Sequence, residues 1–204
     1  EVPDYQQEQG QWLAWYSPRI LKHCNRKVLR MITCLDIENT FSKKDSSPYS
    51  GKNQLVSVGY KTDTGDKDYL CFFHSDRPPT PNNFGLLQDV LSSTTLLIGH
   101  NIKYDLQWLL YCGFVYDAAV WDTMGVEYVL ARGINREINL DACCKRRNVQ
   151  QKKTGLIDNW STQPDEMSWT ILEEYGTQDV NSTYDLAMAQ AELLEIDLKE
   201  WSVQ

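Results

Sequence analysis

Three pairs of residues in this 204-residue chain could do chemistry together. The first is Asp36 and Glu38 in "LDIENT" (35–40), which closes the apolar run "VLRMITCL" (28–35). Side chains two apart on a strand point the same way, so both carboxylates face one space at the strand's exit. Open α/β sheets place their ligand crevice there. Crowded carboxylates repel one another and lose hydration unless a cation sits between them. An all-oxygen donor pair suits Mg²⁺ or Mn²⁺ rather than zinc. The second pair is Asn101 and Asp105 in "NIKYD", and the third is Tyr175 and Asp179 in "YGTQD". Each is spaced to lie on one helix face. Every pair also has an ordinary structural explanation. D-x-E is a common solvated strand end, and Asn101 could cap a helix whose first turn favours Asp105. Tyr175 could belong to an apolar stripe, with Asp179 facing water.

The elements that must position these residues alternate between strand and helix. Residues 28–38 read as a strand buried on both faces. "QLVSVGYK" (54–61) and "DYLCFFH" (68–74) read as a hairpin across "TDTGD", and 39–53 as a loop. A short helix around 83–92 precedes the strand "TTLLIGH" (94–100). "NIKYDLQWLLYCG" predicts a helix with Asn101 as N-cap, followed by a brief strand at 118–122 and helices near 123–132 and 139–147. A last long helix starts near Ser168. Its stripe Val180, Tyr184, Ala187, Ala191, Leu194, Leu198 and Trp201 alternates by four and three. The expected fold class is α/β, a mixed sheet of about five strands flanked by helices on both faces.

Composition sets bounds on function. A hydrophobic content of 42% with seven Trp indicates a globular chain, with one domain as the first expectation. The net charge of −8 argues against a surface that grips nucleic acid by bulk charge, though not against a local site where cations offset the acids. No segment approaches the roughly 20 apolar residues of a membrane span. "EVPDYQQEQG" does not resemble a signal peptide, and a chain starting at Glu1 is expected to be processed or cut from something longer. The six cysteines contain no C-x-x-C pair, which suggests structural thiols in a reducing, cytoplasmic compartment. There is no G-x-S-x-G, no P-loop and no Cys/His nucleophile pair, and His23, His74 and His100 read as ordinary residues.

The three pairs in order form D-x-E on the first strand, N-x-x-Y-D opening a middle helix and Y-x-x-x-D on a late helix. This resembles the three motifs of the DEDD family of 3′→5′ exonucleases. Tyr175 makes the likeness DEDDy, because the histidine subtype would need His where Glu174 stands. The likeness runs from about residue 28 to 190 and includes "WDTM", "INLDACCKRRNV", a Lys-bearing loop and Trp160. "GHNIKYDLQWLL" and "CLDIENT…NQLVSVGY" look most like the proofreading domain of a family A DNA polymerase of the bacteriophage kind. The resemblance implies a ribonuclease H-like fold over 28–204, with 1–27 as an N-terminal extension, and a phage-infected bacterial cell as the setting.

It also implies roles. Asp36 should bridge two divalent metals, Mg²⁺ or Mn²⁺. Glu38 and Asp179 should complete one metal site, Asp105 should hold the second ion, and Tyr175 should orient the attacking water. Asn101 is expected to steady the substrate or the local helix, and Asn39 to contact the terminal nucleotide. Asp122 matches an acid near the site but could equally be a helix N-cap. The implied substrate is a frayed single-stranded DNA 3′ end. Phe41, Tyr49 and Phe84 are candidates for base stacking. Lys145, Arg146 and Arg147, with Lys152 and Lys153, form the best basic cluster for the DNA backbone, or else a helix end that favours cations. The implied partner is a polymerase domain on the same longer chain or a separate subunit, with no membrane. The alternatives are a stand-alone ribonuclease D-like exoribonuclease and a silent nucleic-acid-binding domain. Such silent domains typically lose an acid, and all four are present here.

Overall fold

The structure, a computed structural model, describes residues 31–42, 45–132, 134, 136–149 and 162–201. The expected 1–27 extension, Lys152, Lys153, Trp160 and His23 lie outside the described residues.

The apolar run that ends in "LDIEN" is the middle strand of the sheet. β1 (Met31–Asn39) pairs antiparallel with β2 (Leu55–Thr62), which pairs antiparallel with β3 (Lys67–Cys71). On its other side β1 pairs parallel with β4 (Thr94–Gly99), and β4 with β5 (Ala119–Asp122), giving the order β3-β2-β1-β4-β5. A parallel strand buried on both faces needs apolar residues at successive positions, and β1 has them. Leu35 and Ile37 face a cluster with Leu87 and Leu91 of α1 (Asn83–Ser93) and Trp108 and Leu109 of α2 (Ile102–Tyr111). Ile32 and Cys34 face the opposite cluster with Val180, Ala187 and Ala191 of α5 (Trp169–Leu193). α3 (Thr123–Leu130) and α4 (Leu140–Arg147) join α5 on that side. The result is a mixed five-stranded sheet flanked by helices on both faces, the ribonuclease H-like architecture that the resemblance implies. Among the described residues, no helix is long and apolar enough to cross a membrane.

Two boundaries differ from expectation. β3 stops at Cys71, before "FFH", because Phe72 and Phe73 N–H both donate to the Val56 carbonyl, at 2.8 and 3.1 Å, which ends the ladder. The last helix is not continuous to Trp201. It closes with a Schellman turn: Ile196 N–H donates to Ala191 O (2.9 Å), Glu195 N–H donates to Glu192 O (3.1 Å), and Glu195 is left-handed at φ 55. Asp197 Oδ1 then accepts from Lys199 N–H and opens a separate short helix, α6 (Leu198–Trp201). Leu198 returns to the core while Leu194 is left exposed, so the four-three stripe spans two helices sharing one core.

Candidate active site

Asp36 and Glu38 share the β1 face of Ile32 and Cys34, so they point toward the side covered by α5. Across the ladder, Gly59 lies beside Asp36 and Ser57 beside Glu38. On the other edge the pairing with β4 ends at Cys34↔Ile98, so β1 runs on without a strand neighbour there. Asp105 fills that edge. Its Oδ1 accepts the backbone N–H of Ile37 at 3.2 Å, between the two acids of the first motif. Two segments 68 residues apart in sequence are thereby tied at one point.

Asp105 is reached from the start of α2, whose entry is held in an unexpected way. Asn101 occupies the cap position at φ 64, but its side chain makes no capping hydrogen bond. Its backbone N–H donates instead to Asp122 Oδ1 at 2.9 Å, and the same oxygen accepts from Met124 N–H at 3.0 Å. Asp122 is thus the N-cap of α3 and also the anchor of the second motif. Asp105 itself is 4% exposed. Burial pushes its carboxyl from 3.8 up to about 8, the N–H donors of Asp105 and Ile37 oppose the rise, and the charge of Asp122 adds to it.

The third motif arrives on α5. Cys34 Sγ–H donates to Val180 O at 3.4 Å, and Val180 packs in the core beside Cys34 and Ile98. This fixes the residue next to Asp179 directly over β1. Asp179 is 7% exposed, and Tyr175 is half-buried one turn before it. The electrostatics follows from the same placement. Burial raises the Tyr69 phenol well above its ordinary value, and the charges of Glu38, Asp36 and Asp179 act in the same direction. Burial likewise raises the Cys34 thiol, with Asp36 and Asp105 adding to it. The acids of all three motifs therefore bear on the carboxyl end of β1.

A family model described as 3′–5′ exonuclease, of the DNA polymerase A type, matches residues 36–195. The chain belongs to this exonuclease family. No curated protein sequence matches it. Among solved structures, Brucella melitensis NrnC is similar at TM-score 0.57 and 20% identity, over 80% of this chain and 73% of that one. The same protein with bound Mg²⁺ gives TM-score 0.57 at 19% identity. The POL domain of Pol1 from M. smegmatis, in complex with DNA primer-template and dNTP, is similar at TM-score 0.53 and 15% identity, over 82% of this chain and 24% of that one. The family B DNA polymerase of Pyrobaculum calidifontis gives TM-score 0.54 at 17% identity, over 81% and 24%. At these identities the likeness carries the fold.

In the exonuclease domain the gathered acids offer only hard oxygen donors, the chemistry that suits Mg²⁺ or Mn²⁺. Among the described residues, no three Asp, Glu, His or Cys side chains are closed into a ready metal cage. The donor set is all oxygen and Asp105 is buried with no cation beside it among the causes of its raised pKa, a chemistry that fits a divalent cation.

The residues expected to meet the substrate divide. Asn39 is buried, and its amide is engaged within the fold: Nδ2–H donates to Thr40 O (2.7 Å), and the Tyr104 hydroxyl donates to Oδ1 (2.8 Å). It holds the loop after β1 and presents no free donor to a nucleotide. Arg146 and Arg147 also turn inward. Arg146 Nη1 lies 2.7 Å from Glu127 Oε2, and Arg147 Nε lies 2.6 Å from Glu127 Oε1, with Glu127 only 1% exposed. They hold α4 to α3 through this shared acceptor, with about a fifth of each side chain still exposed. Lys145 alone of the three is exposed. Phe84 stacks on Phe114 at 4.3 Å and stays partly exposed, and Tyr49 is 69% exposed, edge-on to Tyr111 at 5.5 Å. Phe41 N–H is tied to Gln163 Oε1 at 2.9 Å, linking the loop after β1 to the approach to α5. His100 bridges Thr123 Oγ1 (2.8 Å) and Ile138 O (2.9 Å). Sequence reasoning missed Tyr104, although it stands inside "NIKYD", because its partners Asn39 and Ser46 lie about sixty positions earlier.

Proposed function

We propose that this exonuclease domain removes nucleotides from single-stranded or frayed DNA 3′ ends by two-metal-ion hydrolysis, as the proofreading part of a DNA polymerase. The observation that carries the reading is the Asp105 carboxylate on the Ile37 N–H, between Asp36 and Glu38. A phosphodiester is anionic and repels hydroxide, so a site made of acids can serve it only by holding cations. Two divalent ions, Mg²⁺ or Mn²⁺, supply charge neutralisation at the phosphate and make the attacking water more acidic. Asp36, Glu38 and Asp179 would hold one of them and Asp36 with Asp105 the other. The Tyr175 hydroxyl, one helical turn from Asp179, orients the water for attack on phosphorus. Asn101 steadies the entry of α2, and Lys145, exposed at the end of α4, is one cation that can meet a phosphate backbone. The polymerase link rests on the DNA polymerase A type of the matching family.

The test is degradation of a 5′-labelled single strand, a duplex with a mismatched 3′ end, a matched duplex and an RNA of the same sequence. The expected result is stepwise shortening from the 3′ end, faster on the unpaired and mismatched DNA, stopped by EDTA and restored by Mn²⁺. Preference for RNA would replace this reading with an exoribonuclease. No cleavage of any strand would favour a silent binding domain. Cleavage that survives thorough chelation would rule out metal catalysis.

A further inference from the structure

Tyr69 is a large polar side chain buried to 5% exposure that the mechanism does not use. Its place follows from register. Asp36 pairs with Gly59, and Gly59 pairs with Tyr69, so the three form one row across β1, β2 and β3, on the face covered by α5. Glycine in the middle of that row leaves a trough. The Tyr69 ring lies in it: a Cβ at Gly59 would sit 2.9 Å from Tyr69 Cδ2. The phenol then reaches the neighbouring row, where Ser57 Oγ–H donates to it at 2.9 Å, and Ser57 is the partner of Glu38. Trp169, at the start of α5, closes the outer side at 5.4 Å.

The helix above is shaped to the same ring. Gly176 stands within "YGTQD", between Tyr175 and Asp179. A Cβ there would fall 2.5 Å from the Tyr69 hydroxyl and 2.8 Å from Cζ. Helix and ring are therefore in contact at the one residue of the motif that has no side chain. At Gly176 the backbone of α5 lies directly against the ring, with no room for a side chain between them.

Resting on the functional reading above, we propose that Tyr69 is a positioning residue: a wedge between Gly59 and Gly176 that fixes the height of Tyr175 and Asp179 over Asp36 and Glu38. The charges of Glu38, Asp36 and Asp179 all bear on its hydroxyl, as this placement requires. A static core tyrosine would matter for stability alone. A wedge under the third motif must change how the acids share a cation.

The test compares Gly176→Ala, Tyr69→Leu, the double variant and Tyr69→Phe in the full chain. Mn²⁺ binding is measured by calorimetry, kcat and KM on a single strand, and folding by circular dichroism. Gly176→Ala and Tyr69→Leu should each weaken Mn²⁺ binding and lower kcat about tenfold, with KM moved less than about twofold. The double variant should stand closer to wild type than either single one, because the added methyl fills the space the ring leaves. Tyr69→Phe keeps the ring and should lose only about threefold. Additive losses in the double variant would overturn the proposal, as would wild-type Mn²⁺ binding and kcat in Gly176→Ala. If Gly176→Ala does not fold, equal losses in Tyr69→Phe and Tyr69→Leu would overturn it. If the unmutated chain binds Mn²⁺ but cleaves nothing, the functional reading fails while calorimetry still decides on Tyr69. If it binds no Mn²⁺, both fall.

Discussion

Replacing Asp105 by Asn should stabilise the metal-free protein while destroying its activity. Burial raises the Asp105 carboxyl from 3.8 to about 8 in the folded chain. The unfolded chain releases this proton near pH 4, and the folded chain keeps it until about pH 8. Below pH 4 both forms are protonated and the group costs nothing. As pH rises toward 8 the unfolded form is increasingly favoured, so stability falls across that window and levels off above it. At pH 7 the difference spans about three pH units at about 1.4 kcal/mol each, a ceiling of about 4 kcal/mol. Asn has no proton to lose, and its Oδ1 can still accept the Ile37 N–H. Urea unfolding followed by tryptophan fluorescence in EDTA should show Asp105→Asn more stable by about 2–4 kcal/mol at pH 7.5, a gap that shrinks to about 1 kcal/mol or less at pH 4.5. Added Mn²⁺ should raise the stability of wild type far more than that of the variant, because only the carboxylate gains a partner. Parallel pH profiles for the two proteins, or a variant no more stable at pH 7.5, would refute the reasoning.

Cleavage assays should find Asp36→Ala and Asp179→Ala inactive, with rates down by at least about a thousandfold, whereas Tyr175→Phe keeps a slow residual rate. Equal rates for Tyr175→Phe and wild type would show that Tyr175 does not orient the water. Glu127→Ala should destabilise the fold by about 3–5 kcal/mol, because it leaves Arg146 and Arg147 without their buried acceptor. Thermal unfolding checks this. Burial opposes ionisation of Glu127, but hydrogen bonds from Arg147, Gln190 and Arg146 outweigh it and hold the carboxyl below its usual range. That stabilisation is present above the ordinary carboxylate pKa and is lost as pH falls through the lowered one.

What could be read without coordinates was whatever depends on short spacing. The apolar run into Asp36 and Glu38 announces a doubly buried strand with two acids at its exit, and β1 is that strand. The helix spacing of Asn101 with Asp105 and Tyr175 with Asp179 was equally local. Hidden features depend on register or on distant partners. Nothing near Tyr69 in the chain says that it lies in one row with Gly59 and Asp36; only the pairing of three strands does. "KRR" reads as a basic cluster because its acceptor, Glu127, is nineteen residues earlier on another helix. Leu198 continues the stripe of α5 because both helices serve one core, so periodicity could not reveal the turn at Glu195. Asn101 has the residue type of a cap, yet it takes a left-handed backbone and is held through its N–H by Asp122.

The convergence of three distant segments on one cation site is tested most directly by a crystal structure of the protein grown with Mn²⁺, using anomalous scattering to locate the ions. Manganese peaks should lie at the carboxyl end of β1, within bonding distance of Asp36, Asp179 and Asp105. Peaks elsewhere, or an Asp179 carboxylate turned to bulk solvent beside an empty β1 terminus, would contradict it.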